Sequence, residues 1–294
     1  MSVMDSQNEI QVVVTGATGF LGSRLSRALE LHSRVLRFGR RDMQLGSHNY
    51  VKALRDHIEC NQISPTFIIN CAAITDLKLC QKDPNLAHQI NGLLPTALAD
   101  LSEQLNCFFL QISSDAVLGS SETPMDESCE PNPYNRYGES KLAGELGVTE
   151  YEKGLVVRTN FFGPNPTGKS VFDYFSKPPS TGEGTVGYTN YLTGSVFVDT
   201  LIDNLSRITL STNHFFELQT LHLGSSDYMS KWRFGQFIAS KLGLQSPAKG
   251  SLEHHGLPKG TNVELRMDSS RAESFGLVVP KMSDEIMIAL EREG

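Results

Sequence analysis

The chain has 294 residues, 39% of them hydrophobic and 20% charged, the composition of an ordinary globular protein with room for one large domain or two modest ones. Its formal net charge of -7 lacks the positive field that a phosphate backbone requires, which excludes nucleic acid as a partner. The first ten residues show neither a basic n-region nor an apolar h-region, no apolar run reaches the ~18 residues of a membrane span, and Cys60, Cys71, Cys80, Cys107 and Cys129 are odd in number without CxxC spacing, so we expect a cytoplasmic protein with reduced thiols, no membrane contact and no metal.

Ile10 to Val14 is a β-branched run that ends in a glycine-rich turn, and Leu21, Leu25, Ala28 and Leu29 follow at helical spacing, which reads as strand, turn, helix. Val35 to Phe38 reads as a second strand, Val51 to Cys60 as a helix and Thr66 to Ala73 as a buried strand. A helix over Pro84 to Leu105, a strand over Cys107 to Ser113, a helix over Tyr137 to Glu150 and a strand over Gly154 to Thr159 continue the alternation. Such alternation predicts an α/β fold, a Rossmann-type doubly wound parallel sheet of six or seven strands. Beyond Phe161 the order loosens into Gly-, Pro- and Thr-rich loops from Gly163 to Thr189 and a polar stretch from Gln245 to Thr261. The expected division is a dinucleotide-binding Rossmann domain over 1–160, completed by about 189–222, with 161–188 and 223–294 forming a small C-terminal substrate lobe.

Thr15-Gly16-Ala17-Thr18-Gly19-Phe20-Leu21-Gly22 stands between the first strand and the first helix, where a dinucleotide fingerprint belongs. Gly16 permits a tight turn, Gly19 lets the backbone approach a pyrophosphate, and Gly22 lets the helix pack closely on the strand. After the second strand an NAD enzyme usually presents an acid to the ribose 2'-hydroxyl. Here the chain reads Gly39-Arg40-Arg41-Asp42, and Arg40 and Arg41 suit a 2'-phosphate. NADP(H) is therefore the preferred cofactor, with Asp42 leaving room for NAD(H).

Tyr137 and Lys141 are four residues apart, on one face of a helix. An ammonium about 4 Å from a phenol at an effective dielectric of about 20 contributes roughly 4 kcal/mol, enough to bring a tyrosine toward neutral pH as a proton donor. Gln111 to Val117 carries a buried strand straight into Ser113 and Ser114, and the C-terminal ends of strands are where doubly wound sheets bind ligands. We take Ser114 as the partner of the substrate oxygen and Ser113 as a turn residue. The expected catalytic set is Ser114, Tyr137 and Lys141.

Taken together, TGATGFLG (15–22), FIINCAAITD (67–76), QISSDAVLG (111–119), PYNRYGESKLAGE (133–145) and VVRTNFFG (156–163) resemble the extended short-chain dehydrogenase/reductases, and more narrowly the dTDP-4-dehydrorhamnose reductase family. HLGSSDYMSKWRFGQFIASKLGL (222–244) and MDSSRAESFGL (267–277) are also similar to that family's C-terminal half. The resemblance implies reduction of a 4-keto-6-deoxy sugar nucleotide, with the hydride from nicotinamide, Tyr137 as proton donor and Lys141 also holding the nicotinamide ribose. It implies cofactor contacts at Gly16, Thr18, Gly19, Phe20, Leu21, Gly22, Ala72, Ala73, Tyr137 and Lys141, beside Arg40 and Arg41, and substrate contacts at Ser114, Asp115 and Phe161. Phe161 stands where the family usually has tryptophan, Ala116 where it has tyrosine, and Lys78 near a usual acid; these departures bear on which sugar is bound. Ala116 cannot serve as the carboxylate of a 4,6-dehydratase or the cysteine of an epimerase-reductase. The resemblance allows a homodimer, and it leaves open a nucleotide-sugar epimerase with bound cofactor or a non-catalytic NADP-binding regulatory subunit. His254 and His255 lie in a polar loop and read as solvated.

Overall fold

A computed structural model describes residues 9–39, 42, 49–177, 184–211, 213–252 and 261–293; Arg40, Arg41, His254 and His255 lie outside the described residues. In chain order the first half contains β1 (Gln11–Thr15), α1 (Phe20–Leu29), β2 (Arg34–Phe38), α2 (Tyr50–Cys60), β3 (Phe67–Asn70), α3 (Leu77–Lys82), α4 (Pro84–Ala87), α5 (Leu94–Gln104), β4 (Phe108–Ile112), α6 (Arg136–Thr149) and β5 (Gly154–Thr159). There follow β6 (Phe161–Phe162), α7 (Val171–Ser176), β7 (Val186–Tyr188), β8 (Tyr191–Thr193), β9 (Val196–Phe197), α8 (Val198–Leu210) and β10 (Thr220–Leu223). The chain ends in β11 (Met229–Ser230), α9 (Lys231–Leu242), β12 (Ala248–Gly250), β13 (Val263–Leu265), α10 (Ser270–Ser274) and α11 (Met282–Glu293). Six strands form one sheet in the order β10-β5-β4-β3-β1-β2, and its β2–β1, β1–β3, β3–β4 and β4–β5 pairs are all parallel. That is the expected α/β architecture, with the chain starting mid-sheet and winding outward in both directions.

The chain divides into two compact units. The first comprises 1–113, 135–157 and 202–220. Its inner strands β1, β3 and β4 are buried on both faces, with Val12, Val13, Val14, Ile68, Ile69, Phe109 and Leu110 at 0% exposure, which explains why they read as continuous apolar runs rather than alternations. One face packs Leu36, Phe38, Tyr50, Leu54, Leu98, Leu101, Phe109, Val148 and Val156 into a single cluster. The second unit comprises 114–134, 158–201 and 221–294. It holds a three-stranded sheet β11-β8-β13 and the pairs β12-β7 and β6-β9. This division passes from the first unit to the second at Val157–Arg158, and it departs from the expected one in placing 114–134 in the second unit.

Two expected elements change shape for identifiable reasons. Pro84 to Leu105 is not one uniform helix: between α4 and α5 the chain makes a wide π-helical turn over His88–Leu93. Pro95 has no N–H to offer the carbonyl of Asn91, so the ordinary helical bond is missing where the turn widens. The strand read over Thr66 to Ala73 stops at Asn70, whose side chain turns the backbone by accepting from the Ala72 amide at 3.1 Å.

Candidate active site

In the first unit, Gly16 has φ +66°, and a Cβ there would lie 2.6 Å from the amide nitrogen of Ala72. Only glycine satisfies both the left-handed backbone and that approach of the β1 turn to the end of β3. A Cβ on Gly22 would lie 2.5 Å from the Gly16 carbonyl oxygen, so close packing of α1 on the turn requires glycine there too. Gly19 is the N-cap of α1 and has no side chain to cap it, leaving first-turn amides directed at whatever lies beyond the turn. Gly39 closes the cradle: a Cβ there would meet Thr18 Cγ2 at 2.8 Å. Asp42 is folded onto this segment, its Oδ2 accepting from the Gly39 amide at 2.7 Å. Leu21 and Ala72 are buried, Phe20 and Ala73 half-buried and Thr18 exposed. A glycine-lined turn at a helix N-terminus fits a dinucleotide pyrophosphate.

Polar side chains tie the C-terminal ends of the strands together. Thr15 Oγ1 donates to Asn70 Oδ1 at 2.5 Å, and Asn70 Nδ2 donates to Gln111 Oε1 at 2.7 Å. Asn91, on the widened turn, accepts from the Ile74 amide at 2.9 Å, donates to the Ile74 carbonyl at 2.9 Å and to Ser140 Oγ at 3.0 Å. It thereby fixes α6 against the loop after β3.

Helix α6 begins at Asn135, whose Oδ1 accepts from the Gly138 amide at 2.8 Å, a conventional side-chain cap. Tyr137 sits half-buried in the first turn, and Lys141 follows one turn later at 3% exposure. The Lys141 ammonium donates to the Ile112 carbonyl, the last of β4, at 2.6 Å. Burial pulls it down to about 8, against the opposing pull of Glu145 and Cys71. Glu145, a further turn along and also buried, accepts from Ser113 Oγ. That bond ties the end of β4 to α6.

In the second unit, Ser114 caps a short helical turn over Asp115–Val117 and donates to Asp115 Oδ1 at 3.1 Å. Asn160 Nδ2 donates to Asp115 Oδ2 at 2.7 Å, and Asn160 Oδ1 accepts from Ser195 Oγ at 2.9 Å. Burial pushes the Asp115 carboxyl up to about 6, although the bonds from Asn160 and Ser114 and the charge of Lys231 hold it down. A cavity of about 80 Å³ is lined by Asn160, Val171, Thr193, Ser195, Met229, Lys231, Phe234 and Met282. Phe162 is buried among Phe172, Phe197 and Phe234, whereas Phe161, its neighbour in β6, is half-buried, as alternation along a strand requires.

The first unit therefore brings together the glycine turn with Ala72, and the α6 face bearing Tyr137 with the buried Lys141. Ser114, Asp115 and Phe161 belong to the second unit, where Ser114 and Asp115 share one hydrogen-bonded network. Sequence reasoning missed Asn91, Glu145, Asn160 and Lys231. Glu145 was within reach, being four residues past Lys141 and so on its face. Lys231 carried a signal as well: it is a cation in the first turn of a helix, the unfavourable end of the dipole. The two asparagines carry no such mark, because their roles depend on long-range partners.

The sequence pattern of the RmlD substrate binding domain matches residues 10–281. The probable low-salt glycan biosynthesis reductase Agl14 of Haloferax volcanii is 28% identical over 93% of this chain and 95% of its own. The dTDP-4-dehydrorhamnose reductase of Streptomyces griseus is 33% identical over 54% of this chain and 53% of its own. The methionine adenosyltransferase 2 subunit beta of Bos taurus is 31% identical over 50% of this chain and 45% of its own; the match spans about half the length of these last two relatives. Among solved structures, the dTDP-4-dehydrorhamnose reductase from Bacillus anthracis in complex with NADP superposes with a TM-score of 0.81 at 21% identity, over 98% of this chain and 100% of that one.

Proposed function

The chain belongs to the RmlD substrate binding domain family, and from that premise we propose that it is an NADP(H)-dependent reductase of a 4-keto-6-deoxy sugar nucleotide. The observation that carries this reading is the pairing, within the first unit, of a glycine cradle that no Cβ could enter with a buried Lys141 one turn past Tyr137. Each feature alone is common. Together they support an anion site for a dinucleotide and, one helical turn apart, a phenol and a buried cation suited to proton transfer.

In this reading Gly16, Gly19 and Gly22 let the pyrophosphate approach the first-turn amides of α1, Ala72 and Ala73 line its path, and Arg40 and Arg41 favour a 2'-phosphate. The nicotinamide, when bound, supplies the hydride for the carbonyl carbon. Tyr137 gives its phenolic proton to the carbonyl oxygen, and Ser114 donates a hydrogen bond to that oxygen. Lys141 stabilises the phenolate that remains, while its bond to the Ile112 carbonyl holds the ammonium in place. Asp115 and Phe161 contact the sugar. The test is consumption of NADPH, followed by its absorbance, on addition of a dTDP-linked 4-keto-6-deoxyhexose. Stoichiometric oxidation supports reduction, whereas isomerisation of a nucleotide sugar without net NADPH loss would replace it with epimerisation.

A second reading is a non-catalytic NADP-binding subunit of another enzyme, favoured by the likeness to methionine adenosyltransferase 2 subunit beta. The two separate on Tyr137→Phe: a regulator keeps its effect on its partner, and a reductase loses turnover.

A further inference from the structure

Lys231 opens helix α9, where Ser230 Oγ caps the helix by accepting from the Arg233 amide at 3.2 Å. A positive charge there opposes the helix dipole, and burial further pulls the ammonium down, with Asp115 countering. Its ammonium lies over the Tyr191 ring at 4.2 Å, and among the described residues it makes no hydrogen bond or ion pair. A side chain that burial and the dipole both disfavour, with its N–H donors unspent in a cavity wall, is placed for a ligand rather than for stability.

The hydroxyl-bearing part of that cavity's lining has a fixed polarity. Asp115 is a carboxylate above about pH 6 and accepts from Asn160 Nδ2, which sets the direction of the Asn160 amide. Asn160 Oδ1 must then take the Ser195 proton. The Thr193 and Ser195 hydroxyls are 3.1 Å apart; with the Ser195 proton already committed, Thr193 is the donor of that bond. Every proton in the row points toward Asp115, which leaves Thr193 and Ser195 with lone pairs and Lys231 with N–H donors among the residues that line the cavity. A carboxylate, phosphate or ketone only accepts, and it would meet the lone pairs unsatisfied. A hydroxyl group both donates and accepts and matches both sets. The cavity, of about 80 Å³, has room for hydroxyl-bearing substituents of a sugar. Val171, Met229, Phe234 and Met282 supply the apolar remainder of the lining, as expected where a C–H surface adjoins a hydroxyl.

We propose that Lys231 is a sugar-positioning residue, donating to a ring hydroxyl of the nucleotide-linked sugar whose own proton goes to the Thr193–Ser195 edge. This rests on the nucleotide-sugar reading above. The substrate class is thereby narrowed to sugars that carry a free hydroxyl at the position entering this cavity.

The test is calorimetric binding of dTDP-glucose and of sugar-free dTDP to the NADPH-loaded protein, for the unmutated chain, Lys231→Met and Lys231→Arg. Loss of one charge-assisted hydrogen bond predicts about a 10- to 100-fold weaker affinity of Lys231→Met for dTDP-glucose, with dTDP and NADPH affinities unchanged and partial recovery in Lys231→Arg. Melting temperature should be unchanged or higher in Lys231→Met, which a structural role would not allow. Thr193→Val, reading the hydroxyl-bearing lining, should also weaken dTDP-glucose selectively. If Lys231→Met weakens dTDP as much as dTDP-glucose, the ammonium serves the diphosphate and the proposal falls. If the unmutated chain binds dTDP-glucose and Lys231→Met binds it equally well, the proposal falls while the nucleotide-sugar reading stands. If the unmutated chain binds NADPH but neither nucleotide, both fall.

Discussion

Lys141→Met should change how stability depends on pH, by an amount set by the burial of the ammonium. The side chain is 3% exposed, and burial brings the folded-state group down to about 8 from the ordinary 10.5. Below about pH 8 the ammonium is charged in both folded and unfolded chains, and the full cost of burying it, about 3 kcal/mol, weighs against folding. As pH rises from about 8 toward 10.5 the folded chain sheds the proton before the unfolded chain does, the unfolded chain binds more protons, and stability climbs. Between about pH 7.5 and pH 10 the unmutated chain should therefore gain about 2 kcal/mol relative to Lys141→Met. Other groups titrate in that range in the unfolded chain, Cys71 among them, while burial pushes its folded-state thiol up to about 12. Taking the difference between two otherwise identical chains removes their common contribution. Urea denaturation of both proteins at the two pH values gives the number. Saturating NADPH should flatten the difference, since a bound polyanion keeps the ammonium charged. Stability curves that stay parallel from pH 7.5 to pH 10 would refute the buried-cation account of Lys141.

The sheet was legible because its inner strands β1, β3 and β4 are short, mostly apolar runs bounded by turn residues, so period and length agreed. Chain order also placed the glycine turn and the Tyr137–Lys141 face on the right elements, since both depend on spacings of six residues or fewer. Long-range effects were not legible. The widening at His88–Leu93 follows from Pro95 but is seen only once α6 packs on it, where a Cβ on Gly144 would lie 2.2 Å from the Asn91 carbonyl. Likewise the passage of 114–134 into the second unit is secured by partners far along the chain, among them the Met125 amide on the Arg266 carbonyl and the Ser121 amide on the Glu264 carbonyl. No local pattern announces such bonds. The Asp115–Asn160–Ser195 row is equally non-local, and it was the substrate side that sequence reading left thinnest.

Four further outcomes test the site. Gly16→Ala places a Cβ on a left-handed backbone and against the Ala72 amide, so thermal unfolding should show a loss of about 2 to 4 kcal/mol and NADPH affinity should fall; an unchanged melting point would contradict the cradle geometry. Replacing Arg40 and Arg41 together with neutral residues should remove a preference for NADPH over NADH, each charged bond being worth about 1.5 to 3 kcal/mol, and equal affinities in the unmutated chain would refute the preference itself. Phe161→Ala should weaken nucleotide-sugar binding far more than NADPH binding; comparable loss of both indicates a structural ring. The chemistry turns on Tyr137→Phe. It removes only an oxygen from a half-buried ring in the first turn of a helix whose cap, at Asn135, does not involve the phenol, so melting temperature and NADPH affinity should hold. Turnover of a 4-keto substrate should fall by roughly 100-fold or more, because the carbonyl oxygen loses its proton donor in the transition state only. A KM that rose with kcat unchanged would mean that Tyr137 binds substrate without donating the proton. Near-full turnover in Tyr137→Phe would remove the residue from the reaction altogether, and a regulatory role for the chain would then be the reading to pursue.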